Sequence, residues 1–382
     1  RRAARQRDDG DLRIEGAGAM TITRRALFVV LGITLGLIAW AAPETERQTD
    51  RGAYEATASQ FIVRDCSDLH CFRVLVPWTL GAIPGPSLPK WKAYAVVANL
   101  FAAVAVFALS IAWGMSQRAS MMASLLSALG FGSLYTLFDP FTSDPLMYAI
   151  GPLLVWLLLK DRIAAAGLVA AIGVLAKEFA AAPMLIWSAA TAATGRWTEA
   201  LRVLSAANVA LIAWLSLQLI LIIGFNYSYA DNASTHLLSG GYLWRWLSTQ
   251  TWLVSALAMF GEFGMLWLLA PAGLFLAPAP MRRFVVASIP VALLFAYVQQ
   301  PDRALWNFHF LAAPLAALVL ERAPAALAGA SIGMFALGNL RLGAQLSMVP
   351  PSRVSLVLSA LLAIACLYRL RAEQPPSMAV AS

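Results

Sequence analysis

The feature that most constrains this chain is the recurrence of apolar runs separated by short charged islands. Many of the runs approach the roughly 17 to 25 residues that a helix needs to cross the hydrocarbon of a bilayer. They lie at 26 to 42, 93 to 114, 119 to 137, 145 to 159, 163 to 177, 179 to 194, 203 to 224, 251 to 279, 284 to 298, 308 to 320, 325 to 340 and 354 to 368. Several are short, and the run 251 to 279 is interrupted at Gly261-Glu262. The expectation is therefore about ten to twelve crossings, about two of them half-spans or re-entrant pieces. A backbone in lipid must satisfy its own hydrogen bonds, so such a chain is an all-α bundle. Its 60% apolar and 13% charged residues exclude a soluble domain.

This reading gives one polytopic domain over 26 to 370, after a cytoplasmic segment 1 to 25 and before a cytoplasmic tail 371 to 382. Met20 followed by Thr-Ile-Thr-Arg24-Arg25 looks like a natural start, which makes 1 to 19 upstream sequence. The stretch from Ala26 to Ala42 also imitates a signal peptide, with small residues around Trp40, but the many later spans favour its retention as the first membrane helix.

Alternating loops differ in charge. One set carries Arg24, Arg25, Arg118, Lys160, Arg162, Arg196, Arg202, Arg282, Arg283, Arg322, Arg369 and Arg371, and basic loops stay in the cytoplasm. The other set carries most acids, including Glu44, Glu46, Asp50, Asp65, Asp68, Asp139, Asp144, Glu178 and Asp302. Both long loops, about 43 to 92 and 225 to 250, fall on this outer side, so chemistry is expected on the outward face. The net charge of +8 is dispersed through the loops, so nucleic acid is not an expected partner.

No internal repeat, glycine-rich phosphate loop or strong metal spacing is present, so no cofactor is expected, a divalent metal staying open as an alternative that no clear motif supports. Cys66 and Cys71 fit a small disulfide-closed turn in an oxidising compartment; with His70 they would still lack a fourth ligand for a metal. In the first outer loop Tyr54, Ala58, Phe61 and Ile62 fall on one face of a predicted helix that holds Asp50 near the lipid headgroups. Arg73, inside Phe72-Arg73-Val74-Leu75-Val76-Pro77-Trp78, must snorkel or meet an anion. Asp144 before Pro145 reads as a helix N-cap, or as a site residue. Lys177-Glu178 interrupts a long apolar stretch, so it is expected at an outer turn, either facing water or contacting a carrier phosphate. The aromatics of 225 to 250 suit an interfacial belt or a sugar-stacking surface. The last dense outer group is Asp302-Arg303 through His309, where Asp302 and Arg303 either pair with each other or offer Arg303 to an anion.

An acid shortly before Tyr54, then Arg73-Val74-Leu75-Val76-Pro77-Trp78, resembles poorly characterised bacterial members of the GT-C superfamily of membrane glycosyltransferases. Ser143-Asp144-Pro145 opening the fourth span, Gly-Val-Leu-Ala-Lys177-Glu178, and Asp302-Arg303 ahead of an apolar run with Pro314 extend the resemblance. It implies a GT-C-like bundle, a polyprenyl-phosphate sugar donor, a glycan, lipid or protein acceptor, and an inverting transfer at the outer leaflet. By the same resemblance a first-loop aspartate is the base, here Asp50 with Glu44 and Glu46 as substitutes. Arg73, Lys177 and Arg303 would contact phosphate, with Tyr54, Asp144, Glu178 and His309 completing substrate binding. Many such enzymes carry two adjacent acids in this loop, whereas Asp50 is followed by Arg51. The competing class is a secondary transporter or lipid flippase, which would place ionisable residues near the midplane in two matching halves. Glu262 and Asn208 are among the few polar residues inside spans, and no matching halves are found.

Overall fold

A computed structural model describes residues 24–42, 50–228, 251, 253, 260–298, 305–340 and 350–372. Among the described residues the chain is helical and has no strand. Arg24–Ala41 (α1) is followed by three short elements of the first loop: Arg51–Gln60 (α2), a 3-10 turn Leu69–Phe72 and Leu75–Gly81 (α3). Ser87–Ala112 (α4), Gln117–Ala128 (α5), Phe131–Phe138 (α6), Asp144–Leu159 (α7) and Ile163–Gly173 (α8) come next. A second 3-10 turn, Glu178–Ala181, leads into Ala182–Ala192 (α9) and Trp197–Phe225 (α10). The last group is Leu266–Leu276 (α11), Ala279–Val298 (α12), His309–Leu320 (α13), Ala325–Asn339 (α14) and Pro350–Ala372 (α15).

Among the described residues each apolar run lies on one of these helices or, for 119 to 137, on the pair α5 and α6. The run 251 to 279 is described mainly from 260 onward, where Gly261 and Glu262 are helical and the interruption falls at Gly264-Met265 instead. Among the described residues α1, α4, α10 and the last helix from Val354 to Ala372 are long and apolar enough to cross a membrane alone. The pair α5 and α6, bent by 40°, is long and apolar enough for a fifth, broken span or for a re-entrant loop. The shorter apolar helices α7, α8, α11, α13 and α14 pack among the others. The bend follows from Gly130 and Gly132: a Cβ at either would lie 2.2 or 1.9 Å from the indole of Trp306, so a bulky ring occupies the break.

Lipid supplies no hydrophobic drive between helices, so close packing of small residues and internal hydrogen bonds hold the bundle. A Cβ at Gly273 would fall 1.9 Å from the Leu315 carbonyl, which sets how closely α11 meets α13. Asn99 of α4 donates to the Ala95 and Ser133 carbonyls and to Thr136, tying α4 to α6. The first helix packs its buried Leu31, Leu35 and Ala39 against α4 and α6, and Lys92 donates to the Ala42 carbonyl.

The first loop is folded. A Cβ at Gly81 would lie 2.0 Å from the Ala58 carbonyl, so the glycine allows α3 to lie directly on α2. Cys66 and Cys71 are joined in a disulfide. Asp65 N–H donates to the Phe225 carbonyl, Ser228 N–H to Cys66, and Val63 N–H to the Tyr227 hydroxyl, which fastens the loop to the end of α10. Asn226, in the left-handed conformation at that end, donates to the Asp65 carboxylate at 2.6 Å.

Candidate functional site

Four charged side chains meet where the first loop lies over the start of α7 and the end of α8. Leu75 N–H donates to the Leu175 carbonyl at 3.0 Å, aligning the segment around Arg73 with the turn that carries Lys177 and Glu178. The Arg73 guanidinium then forms a two-pronged contact with Glu178, Nη2 to Oε1 at 2.8 Å and Nε to Oε2 at 3.2 Å. Its planar fork suits a carboxylate in this geometry. The Lys177 ammonium contacts Asp144 Oδ1 directly. The four formal charges cancel within the cluster. Arg73, Lys177 and Asp144 are all buried, with Glu178 the most accessible of the four.

Burial and pairing compete over each charge. Burial, the largest single influence, would weaken the Arg73 cation, but Glu178, Tyr54 and Asp144 together outweigh it and the guanidinium holds its proton more tightly than usual. Burial likewise pushes the Glu178 carboxyl up, and Arg73 and Lys177 together bring it below the ordinary carboxylate value. Lys177 goes the other way: desolvation lowers its affinity for a proton, and Asp144 restores only part of the loss. The Tyr54 phenol, buried beside Ser143, Arg73 and Asp144, is raised chiefly by burial.

Next to this quartet runs a chain of carboxylate, imidazole and carboxylate. Asp50 stands at the N-cap of α2, and its Oδ2 lies 3.3 Å from His70 Nε2. On the other side of the ring Nδ1 lies 2.7 Å from Asp68 Oδ1, which also accepts from the His70 backbone N–H at 2.8 Å. His70 sits inside the loop closed by the disulfide. Tyr54 bridges the two groups, its ring 5.4 Å from that of His70 and its hydroxyl end toward Arg73 and Asp144. Arg51 stacks over Phe141 at 4.5 Å, which anchors the start of α2 above the turn entering α7.

Among solved structures, ArnT from Cupriavidus metallidurans bound to undecaprenyl phosphate superposes with a TM-score of 0.55 over 93% of this chain and 82% of its own, at 13% identity. The chain has the GT-C fold. Apo ArnT from the same organism gives 0.53 at 12% identity, covering 91% of this chain and 76% of its own. The Archaeoglobus fulgidus oligosaccharyltransferase tethered with an acceptor peptide gives 0.49 at 14% identity. That match covers 90% of this chain and 54% of the oligosaccharyltransferase, so the chain spans about half its length. No protein-family model and no curated protein matches the chain.

On this GT-C bundle, Arg73, Asp144, Lys177, Glu178 and Tyr54 are brought together, with Asp50 joined to them through His70 and Tyr54. Several sequence expectations need correction. The anion that Arg73 meets is the protein's own Glu178. Lys177 does not face water but is 6% exposed, because Asp144 reaches it. Asp144 is the first residue of α7 and not its N-cap, which is Ser143; its carboxylate is engaged by Lys177. Phe61 lies outside the apolar face of α2, at the C-cap with φ of 61°, and is exposed. His309 stands apart in the bundle core, its Nδ1 3.1 Å from the Trp306 carbonyl and its ring against Tyr148 of α7. Glu44, Glu46, Asp302, Arg303 and nearly all of 225 to 250 lie outside the described residues.

His70 is the residue that sequence reasoning missed as a partner of Asp50. Its one legible signal was Asp68 two residues earlier, a spacing at which a carboxylate can accept from both the backbone and the ring. Among the described residues no group of three or more His, Cys, Asp or Glu side chains is arranged to hold a metal ion.

Proposed function

We propose that the protein is an inverting membrane glycosyltransferase. It moves a sugar from a polyprenyl-phosphate carrier to a hydroxyl of a glycan, lipid or protein acceptor at the periplasmic face of the bacterial inner membrane, with its N-terminus cytoplasmic. The observation that carries this reading is the meeting of a carboxylate-imidazole chain with buried cations at one end of a GT-C bundle. ArnT, which shares the fold, was solved with undecaprenyl phosphate, a carrier of the proposed class.

In the reaction the acceptor oxygen attacks the anomeric carbon on the face opposite the phosphate. The bond from that carbon to the phosphate oxygen breaks, and the polyprenyl phosphate departs with the electron pair. Asp50 takes the acceptor's proton, help of a kind typically worth about 10² to 10⁴ in rate. His70, held between Asp68 and Asp50, orients the Asp50 carboxylate for that transfer. Arg73 and Lys177 stabilise the charge that develops on the phosphate, each shared between its own carboxylate and a phosphate oxygen. Arg303 is assigned the same task from the last outer loop. Tyr54, Asp144 and Glu178 fix the cations and line the sugar position, and His309 supports α7 from within the bundle. The proposal requires no metal or cofactor.

The test is reconstitution into proteoliposomes with a labelled polyprenyl-phosphate sugar. Consumption of the donor with label appearing on an acceptor supports the reading. Solute uptake without donor consumption would replace it with transport.

A further inference from the structure

The opposite end of α7 carries a second site that the proposed reaction does not use. From Asp144 to Leu159 the helix has 16 residues, so its far end lies about 24 Å from the quartet at 1.5 Å per residue. There a cavity of about 710 Å³ opens between the ends of α7 and α9 and the starts of α10 and α12. Leu158, Trp187 and Phe284 give it an apolar wall, and Phe284 is fully buried. Its polar side holds Arg196, Arg202 and Arg283 against Asp161 and Glu199. Arg196 is neutralised by Glu199 at 3.1 Å. Arg202 and Arg283, from two different helices, form no ion pair among the described residues, and both are exposed. A second cavity of about 540 Å³ shares Arg202 and runs between α8 and α10 along Ile163, Leu201 and Ala206.

Two guanidiniums with no carboxylate partner among the described residues, Arg283 using only its Nε on the Ala279 carbonyl at 3.3 Å, stand beside an apolar wall, and such a pair suits a ligand with a phosphate group and a hydrocarbon part. Basic pockets between transmembrane helices are suited to acidic lipid headgroups. We propose that this cavity binds the phosphate of an anionic glycerophospholipid, with Arg202 and Arg283 on the phosphate and an acyl chain along the groove between α8 and α10.

Native mass spectrometry and thermal unfolding of the full chain, with phosphatidylglycerol, phosphatidylcholine or inorganic phosphate added separately, test this without reference to catalysis. Phosphatidylglycerol is expected to stay bound and raise the unfolding temperature, while phosphatidylcholine does neither. Arg202→Gln with Arg283→Gln is expected to weaken phosphatidylglycerol binding about 30-fold at low salt, while Arg369→Gln with Arg371→Gln leaves it unchanged. Equal unfolding temperatures of the variants in phosphatidylcholine nanodiscs establish that they fold; Arg283→Gln alone, with a smaller loss, serves if the double variant does not. Equal binding of the two lipids would overturn the proposal, as would undiminished phosphatidylglycerol binding by the folded variant. Stabilisation by inorganic phosphate with no lipid preference would also overturn it, in favour of a free-anion site.

Discussion

The two ends of α7 handle charge in opposite ways. At the end that holds the quartet three of the four charges are buried, Glu178 is half-buried, and all four are paired one to one. At the other end exposed arginines border an open cavity, and only one of three is paired among the described residues. Desolvation makes the first arrangement rigid, because losing one partner strands a buried charge. Solvent and salt make the second adjustable, since exposed charges interact weakly and are screened. A site that stabilises charge in a reaction needs the first property, and a site that exchanges lipids can work with the second.

The comparison breaks if the quartet tolerates loss of a member. Lys177→Met, which leaves Asp144 buried without its cation, is expected to cost about 3–5 kcal/mol in denaturant unfolding and to abolish transfer. Lys177→Met combined with Asp144→Leu should recover most of the stability and none of the activity. Next in size is His70→Gln, expected to lower kcat about 10²-fold with the donor KM little changed. Its melting temperature should match the wild type, and an equal rise in KM would instead mark a binding role.

Glu178→Gln sharpens the electrostatic side. The Glu178 carboxyl is held below its ordinary value of 4.5, so its contribution to stability is complete above pH 4.5 and is lost as pH falls through the lower folded value. The variant should therefore be about 1–3 kcal/mol less stable than wild type at pH 7. That difference should shrink as unfolding is measured at progressively lower pH below 4.5. The smallest effect is expected at the open end, where Arg202→Gln should change stability by no more than about 0.5 kcal/mol. Unfolding in phosphatidylcholine nanodiscs checks it.

The helices were legible because the length a bilayer demands leaves a mark on the sequence, and α7 and α13 follow the apolar runs 145 to 159 and 308 to 320 closely. The residue types of the site were legible for a related reason: Arg73 and Lys177 stand in apolar surroundings where a charge must have a cause. Their partners were not. Arg73 and Glu178 are 105 positions apart, and Asp144 and Lys177 are 33 apart, so each pairing exists only after helices cross. Asp50 and His70 are likewise 20 positions apart, and they meet only because α2 and the disulfide-closed turn fold against each other. The end of α2 shows the local limit: its helical pattern was visible, but the helix stops at Gln60 and Phe61 turns away at the C-cap with φ of 61°.

The central claim rests on Asp50 as base in an outer site fed by a lipid-linked sugar. Wild type and Asp50→Asn protein, matched for unfolding temperature and reconstituted in proteoliposomes, should be compared for release of polyprenyl phosphate from a labelled sugar donor in the presence of envelope acceptors. The account predicts a rate about 10² to 10⁴ lower for Asp50→Asn with donor binding retained. Equal rates in the two proteins would contradict it.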